Sequence, residues 1–214
     1  MSLLAFNIPL GPLDNHYYVL ADAATREAAV VDAGFEPEVL AAFVKREGLT
    51  VQWILGTHAH YDHAAGVRAL QQAVGGVYAL HPDEQPLLAA LAAQGSMFGF
   101  PPAVAAEVGH WLTDGERIAI GQESVEVILT PGHSPGHCAF RHGGQVWVGD
   151  VLFAGSVGRT DLPGGSFEVL RRSVRERLFT LPDDTVCHPG HGPSTTIGEE
   201  RAHNPFVGAA AGQR

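Results

Sequence analysis

Four side chains able to hold a metal ion fall within six residues in Thr57-His58-Ala59-His60-Tyr61-Asp62-His63. Imidazole and carboxylate donors bind a divalent cation only when several converge. The run follows Val51–Leu55, which reads as a short buried strand, and precedes a helical pattern with Val67, Leu70 and Val74 on one face. At a strand end, residues i and i+2 point to the same side, so His58 and His60 address one position. Asp62 and His63 come where the chain turns into the helix and address a second position beside it. A loop shaped by solubility alone would draw on Lys, Glu and Ser rather than clustered imidazoles.

The elements that position this run alternate in type. Asn15–Leu20 and Glu27–Asp32 read as a hairpin, and Pro37 opens a helix with Val39, Leu40, Phe43 and Val44 on one face, ended by Gly48. Val77–Leu80 is a further strand, and Pro82 starts a helix through Ala93 whose Asp83 and Glu84 suit its positive start. Residues 94–107 read as a loop with one helical turn, flanking the active site. Beyond them, Arg117–Ile120 and Val125–Leu129 are strands, Pro131–His137 is a rigid loop, and Cys138–Arg141 with Gln145–Val148 form a hairpin ending at Gly149-Asp150. Ser166 caps a helix from Phe167 to about Phe179, and Thr185–Cys187 leads into Pro189-Gly190-His191-Gly192-Pro193. Trp53, Trp111 and Trp147 read as core. Two β-rich halves, each with helices, predict an α/β fold of two sheets packed face to face, in one domain over 1–214 with a frayed tail at 207–214.

Composition narrows the function. The net charge of −10, with 13 Lys and Arg, excludes a nucleic-acid partner and favours a small substrate. No apolar run approaches the roughly 20 residues that span a bilayer, and the start lacks a secretory pattern, so no membrane partner and a cytoplasmic location are expected. Cys138 and Cys187 are too few for a disulfide framework and are expected to be reduced. His16, His81, His110, His142, His188 and His203 read as surface or core histidines rather than ligands.

The Thr57–His63 run resembles the signature of the metallo-β-lactamase superfamily. Thr130-Pro131-Gly132-His133-Ser134-Pro135-Gly136-His137, Val148-Gly149-Asp150 and His188-Pro189-Gly190-His191-Gly192-Pro193 resemble its other ligand loops in the family's order, so the likeness spans about Asn15 to Phe206. It implies a four-layer αββα sandwich. It also implies that His58, His60 and His133 hold one metal, that Asp62, His63 and His191 hold the other, and that Asp150 bridges them. Zinc is the first expectation for these two divalent ions, and iron or manganese suits the same donors. His137 falls outside that set and is expected to support its loop.

Gly149–Asp161, Asn15 with Tyr17, and His203-Asn204-Pro205-Phe206 are similar to the glyoxalase II-like branch. The reaction so implied is hydrolysis of a glutathione thioester such as S-lactoylglutathione, by a hydroxide that the metals activate and Asp62 helps to orient. A thiol of pKa near 8.5 leaves without a general acid, which suits such a site. Long glyoxalase II enzymes grip glutathione with a C-terminal helical domain. No such domain is expected in this chain, which would leave recognition to the body of the chain or to a second subunit of a homodimer. Arg159 is a candidate substrate contact, with an ion pair to Asp161 as the competing reading. Persulfide dioxygenases resemble the same loops and give the alternative of one iron on His58, His133 and Asp150.

Overall fold

The computed structural model describes residues 3–209 and 211. They divide into two units, one running to Leu112 and including Arg117–Val125, the other made of Thr113–Glu116 and the chain from Glu126 onward.

In the first unit, β1 (Leu3–Leu10), β2 (Asn15–Asp22) and β3 (Glu27–Val31) pair antiparallel in chain order. β1 has no counterpart among the expected strands. Its alternate residues Phe6, Ile8 and Leu10 pack on the core, and its place at the sheet edge tolerates Pro9. α1 (Pro37–Arg46) connects to β4 (Thr50–Leu55), and α2 (Tyr61–Ala64) with α3 (Val67–Val74) connects to β5 (Val77–Leu80). A 3₁₀ turn at Pro82–Glu84, α4 (Gln85–Ala89) and α5 (Leu91–Phe98) then precede β6 (His110–Trp111). β3 to β6 are parallel neighbours, and the sheet order is β1-β2-β3-β4-β5-β6.

Helical crossovers between parallel strands bring the C-terminal ends of β3, β4 and β5 to one end of the sheet. Leu40 and Val44 of α1 and Val67 and Leu70 of α3 pack with Val19, Val30 and Ile54 of the sheet. Burying each such side chain stabilises by about 1.5–3 kcal/mol. Two expectations are corrected here. Val39 is 41% exposed, because α1 turns Ala41 inward instead. The helix expected through Ala93 is broken into three pieces, with Glu84 buried rather than at an exposed helix start, and α5 runs on to Phe98, which supplies the helical turn expected within 94–107.

The second sheet runs β12-β11-β10-β9-β8-β7, formed by β7 (Arg117–Ile120), β8 (Glu123–Leu129), β9 (Cys138–His142), β10 (Gln145–Gly149), β11 (Val186–Pro189) and β12 (Thr195–Thr196). β10 and β11 are parallel, joined through α6 (Phe167–Ser173) and a π turn at Val174–Leu178. The Ser166 hydroxyl accepts from Val169 N, as expected of a cap. Val146, Val148, Leu170, Val174 and Ile197 form the core of the second unit. α7 (Ile197–His203) was not expected, although Thr196 and Glu199 have capping-box spacing and Glu199 N donates to Thr196 Oγ1 at 3.2 Å. Of the tail expected to fray, Val207 is buried and its carbonyl accepts from Arg175 Nε at 2.9 Å, while 210 and 212–214 lie outside the described residues. Trp147 is core as expected, but Trp53 is half-buried and Trp111 is exposed.

Among the described residues no helix is long and apolar enough to cross a membrane. Cys138 and Cys187 are free and buried. Cys138 Sγ donates to Gly136 O at 3.4 Å, and burial pushes the Cys187 thiol up to about 12. The thiolate is the reactive form of cysteine. Native protein at pH 8 should therefore leave an aromatic disulfide reagent unreacted, and both thiols should titrate after unfolding in guanidinium. Stoichiometric reaction of the folded protein would contradict this burial.

Candidate metal centre

The C-terminal ends of β3 and β4 carry the first unit's share of the site. His58 follows β4, and its ring centroid lies 4.7 Å from that of His60 and 4.1 Å from that of His63. Asp62 and His63 occupy the first turn of α2, with Asp62 Oδ2 at 3.5 Å from His63 Nε2. All three imidazoles are buried, and the four predicted residues of this unit come together.

A buried carboxylate that the sequence marks only as the end of a strand, Asp32, orients two of these imidazoles. Thr57 N and Oγ1 donate to Asp32 Oδ1 and Oδ2, each at 2.7 Å. The single hydroxyl hydrogen of Thr57 is thereby committed, so its 2.9 Å contact with His58 Nδ1 is one it accepts. His63 Nδ1 donates to Asp32 Oδ2 at 2.9 Å. Both rings carry their proton on Nδ1 and their lone pair on Nε2. Asp32 does this from a left-handed backbone, φ 59°, which Asp tolerates better than most residues.

Asp62 is held by the start of β2. Asn15 Nδ2 donates to Asp62 Oδ2 at 2.9 Å, and Tyr17 Oη donates to Asp62 O at 2.8 Å. Burial pushes the Tyr17 phenol up, so it keeps its proton. Gly34 faces that same carbonyl, and a Cβ there would stand 1.8 Å from Asp62 O.

In the second unit, Asp150 and His191 follow the C-terminal ends of the parallel strands β10 and β11, and Gly190 N donates to Gly149 O at 2.9 Å. His133 lies on the loop after β8. Its Nδ1 meets Arg159 O at 2.8 Å, and because a carbonyl only accepts, the lone pair is again on Nε2. That Nε2 is 3.8 Å from Asp150 Oδ2, and His191 Nε2 is 3.5 Å from the same oxygen. His137 Nε2 accepts from Asp150 N at 3.1 Å, which commits its lone pair to fixing the Asp150 backbone, the supporting role expected of it. A Cβ on Gly158 would stand 1.8 Å from Asp150 O and 2.9 Å from His133 Nδ1. The Arg159 guanidinium grips Asp161 at 2.7 and 2.8 Å and holds that carboxyl down at about 2.

Residues 10–191 match the family model described as the metallo-beta-lactamase superfamily. The chain belongs to this superfamily. Its two mixed sheets with flanking helices match the family's α/β sandwich fold. Among curated relatives, a probable metallo-hydrolase of Bacillus subtilis, YqgX, is 36% identical over 94% of this chain and 95% of its own length. The hydroxyacylglutathione hydrolase GloC of Haemophilus influenzae is 37% identical over 85% of this chain and 88% of its own. Among solved structures, the B3 metallo-β-lactamase BLEG-1 superposes with a TM-score of 0.88 at 39% identity, covering 95% of this chain and 99% of that one. TTHA1623 in a di-iron-bound form gives 0.85 at 41%, covering 94% and 100%. ETHE1 from Myxococcus xanthus gives 0.81 at 27%, covering 95% and 84%.

The residues of this superfamily member fit divalent metals on geometry internal to each unit. Two donors about 2.1 Å from a tetrahedral cation stand about 3.4 Å apart. The His63–Asp62 and His191–Asp150 separations, both 3.5 Å, match that edge. In a metal site, the second nitrogen of a ligating imidazole donates to a carboxylate, carbonyl or similar group, as His58, His63 and His133 do.

Replacing Asp32 by Asn removes one of its carboxylate acceptors and should weaken metal binding by about 10–100-fold in chelator competition; unchanged affinity would show that the His63 contact is dispensable. Gly158→Ala should lower the metal content of purified protein severalfold. Gly144→Ala, where a Cβ meets nothing within 4 Å, should leave it unchanged.

Proposed function

We propose that this protein is a two-metal thioester hydrolase acting on a small glutathione thioester of the S-lactoylglutathione kind. His58, His60 and His133 would hold one ion, Asp62, His63 and His191 the other, and Asp150 would bridge them. The observation that carries the reading is Asp150 Oδ2, which faces the Nε2 atoms of both His133 and His191 at 3.8 and 3.5 Å. One carboxylate oxygen facing two imidazoles assigned to different ions is the arrangement a bridge requires.

Bound there, a pair of divalent cations supplies Lewis acidity toward a carbonyl oxygen and lowers the pKa of water. The chain supplies the rest. Asp62, held by Asn15 and Tyr17, is placed to orient the attacking water and accept its proton. Water adds to the thioester carbonyl, the carbon–sulfur bond breaks, and the products are a carboxylic acid and a thiol. No general acid is required, because a thiolate is a good leaving group at neutral pH.

The likeness to GloC supports the thioester class, and the di-iron TTHA1623 structure supports a two-metal site. Zinc is proposed for this chain, with iron as the alternative that metal analysis reads. The likeness to ETHE1 is compatible with a mononuclear iron persulfide dioxygenase. Against that reading, His63 and Asp62 are oriented as fully as His58, which a one-metal site would not require. The proposed setting is the cytoplasm, whose reducing thiols suit two free cysteines.

Protein purified without chelator should hold about two metals per chain and hydrolyse S-lactoylglutathione. His58→Ala, Asp150→Ala and His191→Ala should each cut turnover at least about 100-fold with the fold retained by circular dichroism. One iron per chain, with oxygen uptake on glutathione persulfide and no thioester cleavage, would overturn the hydrolase.

A further inference from the structure

Glu84 is a fully buried carboxylate outside the proposed ligand set. Burying a carboxylate is costly, and such groups persist where they hold a polar partner. One partner here is the backbone of the ligand loop, since Ala59 N donates to Glu84 Oε2 at 2.8 Å. Gln94 of α5 takes hold of the same loop from its other groups. Its Nε2 donates to Ala59 O at 3.0 Å and to Leu87 O at 2.8 Å, and its Oε1 accepts from Tyr61 N at 3.0 Å.

The gripped residues alternate with the ligands. Ala59 lies between His58 and His60, and Tyr61 lies between His60 and Asp62. Ala59 is fully buried, so its amide and carbonyl need protein partners, and these two side chains provide them. Tyr61 is fixed further by its hydroxyl, which donates to Pro101 O at 2.8 Å, and by its ring, stacked on Phe100 at 5.3 Å. The ligand side chains are thus aimed by a backbone whose intervening peptides are clamped from the Pro82–Phe98 segment.

We infer that Glu84 and Gln94 are positioning residues that set the His58–Asp62 backbone and thereby the metal affinity of the site. The inference rests on the two-metal reading above. It makes different chemical demands at the two positions. The Ala59 N bond at position 84 needs an acceptor oxygen, which Glu84→Gln keeps in its amide oxygen. Position 94 needs a donor and an acceptor together. Gln94→Glu keeps the acceptor but turns a carboxylate against the carbonyls of Ala59 and Leu87, and Gln94→Met removes every bond at similar volume. Gln94 is half-buried, so its variants disturb the core less than Glu84→Ala does.

The test is zinc affinity of the full chain by competition with a chromophoric chelator, beside the melting temperature of each metal-free variant. Gln94→Glu, Gln94→Met and Glu84→Ala should bind zinc about 10–100-fold more weakly than the parent. Glu84→Gln should stay within about threefold, and the metal-free melting temperature of Gln94→Met should stay near the parent's. Parent-like zinc affinity in both Gln94 variants overturns the inference. So does a loss matched by an equal loss of metal-free stability, which would make the clamp purely structural. His58→Ala separates the two levels: if it also binds zinc like the parent, the metal-site reading itself has failed.

Discussion

A buried imidazole that offers one nitrogen to a cation keeps a proton on the other, and that proton needs an acceptor; much of the arrangement in both units follows from meeting this condition. His63 gives its proton to a carboxylate, His58 to a hydroxyl already committed as a donor, and His133 to a main-chain carbonyl. Each solution fixes a tautomer and a ring orientation at once. His137 shows the opposite outcome, because its Nε2 accepts a backbone N–H and so cannot also bind a metal.

Meeting the condition restricts the fold around it. Asp32 and Thr57 reach each other because β3 and β4 are parallel and end together, and Asp150 and His191 are neighbours for the same reason on β10 and β11. Loops at the C-terminal ends of parallel strands can converge without lengthening the connections. Close approach then demands glycine. Gly34 lies against the carbonyl of Asp62 and Gly158 against that of Asp150, each where a methyl group would overlap the oxygen. The two units use the same device independently.

The ligand loops were the most legible part of the chain, because four metal-binding side chains in a short polar run have few other uses. β5 and β7 were read with their observed bounds, since apolar runs between turn residues are local signals. β1 carries Pro9, which a strand accommodates readily at a sheet edge and not in a sheet centre, and edge position is a property of the whole sheet. Asp32, Glu84 and Gln94 were not legible as site residues. Their partners lie 25 to 35 positions away in the chain, and a lone acidic or amide residue carries no local sign that it will be buried against a distant loop. Glu84 in particular follows Pro82-Asp83, where an exposed helix start is the natural local reading.

The left-handed backbone at Asp32 sets two kinds of selection against each other. Glycine is the residue that relaxes such a conformation, and asparagine is the other common occupant, yet neither supplies two carboxylate oxygens. A search for thermal tolerance alone would tend to drift toward glycine at this position and would discard the hub of the histidine network in doing so. Conversely, any redesign that transplants these ligand loops to another scaffold must carry this one unfavourable peptide with them, since the strain and the orientation of His58 and His63 belong to the same residue.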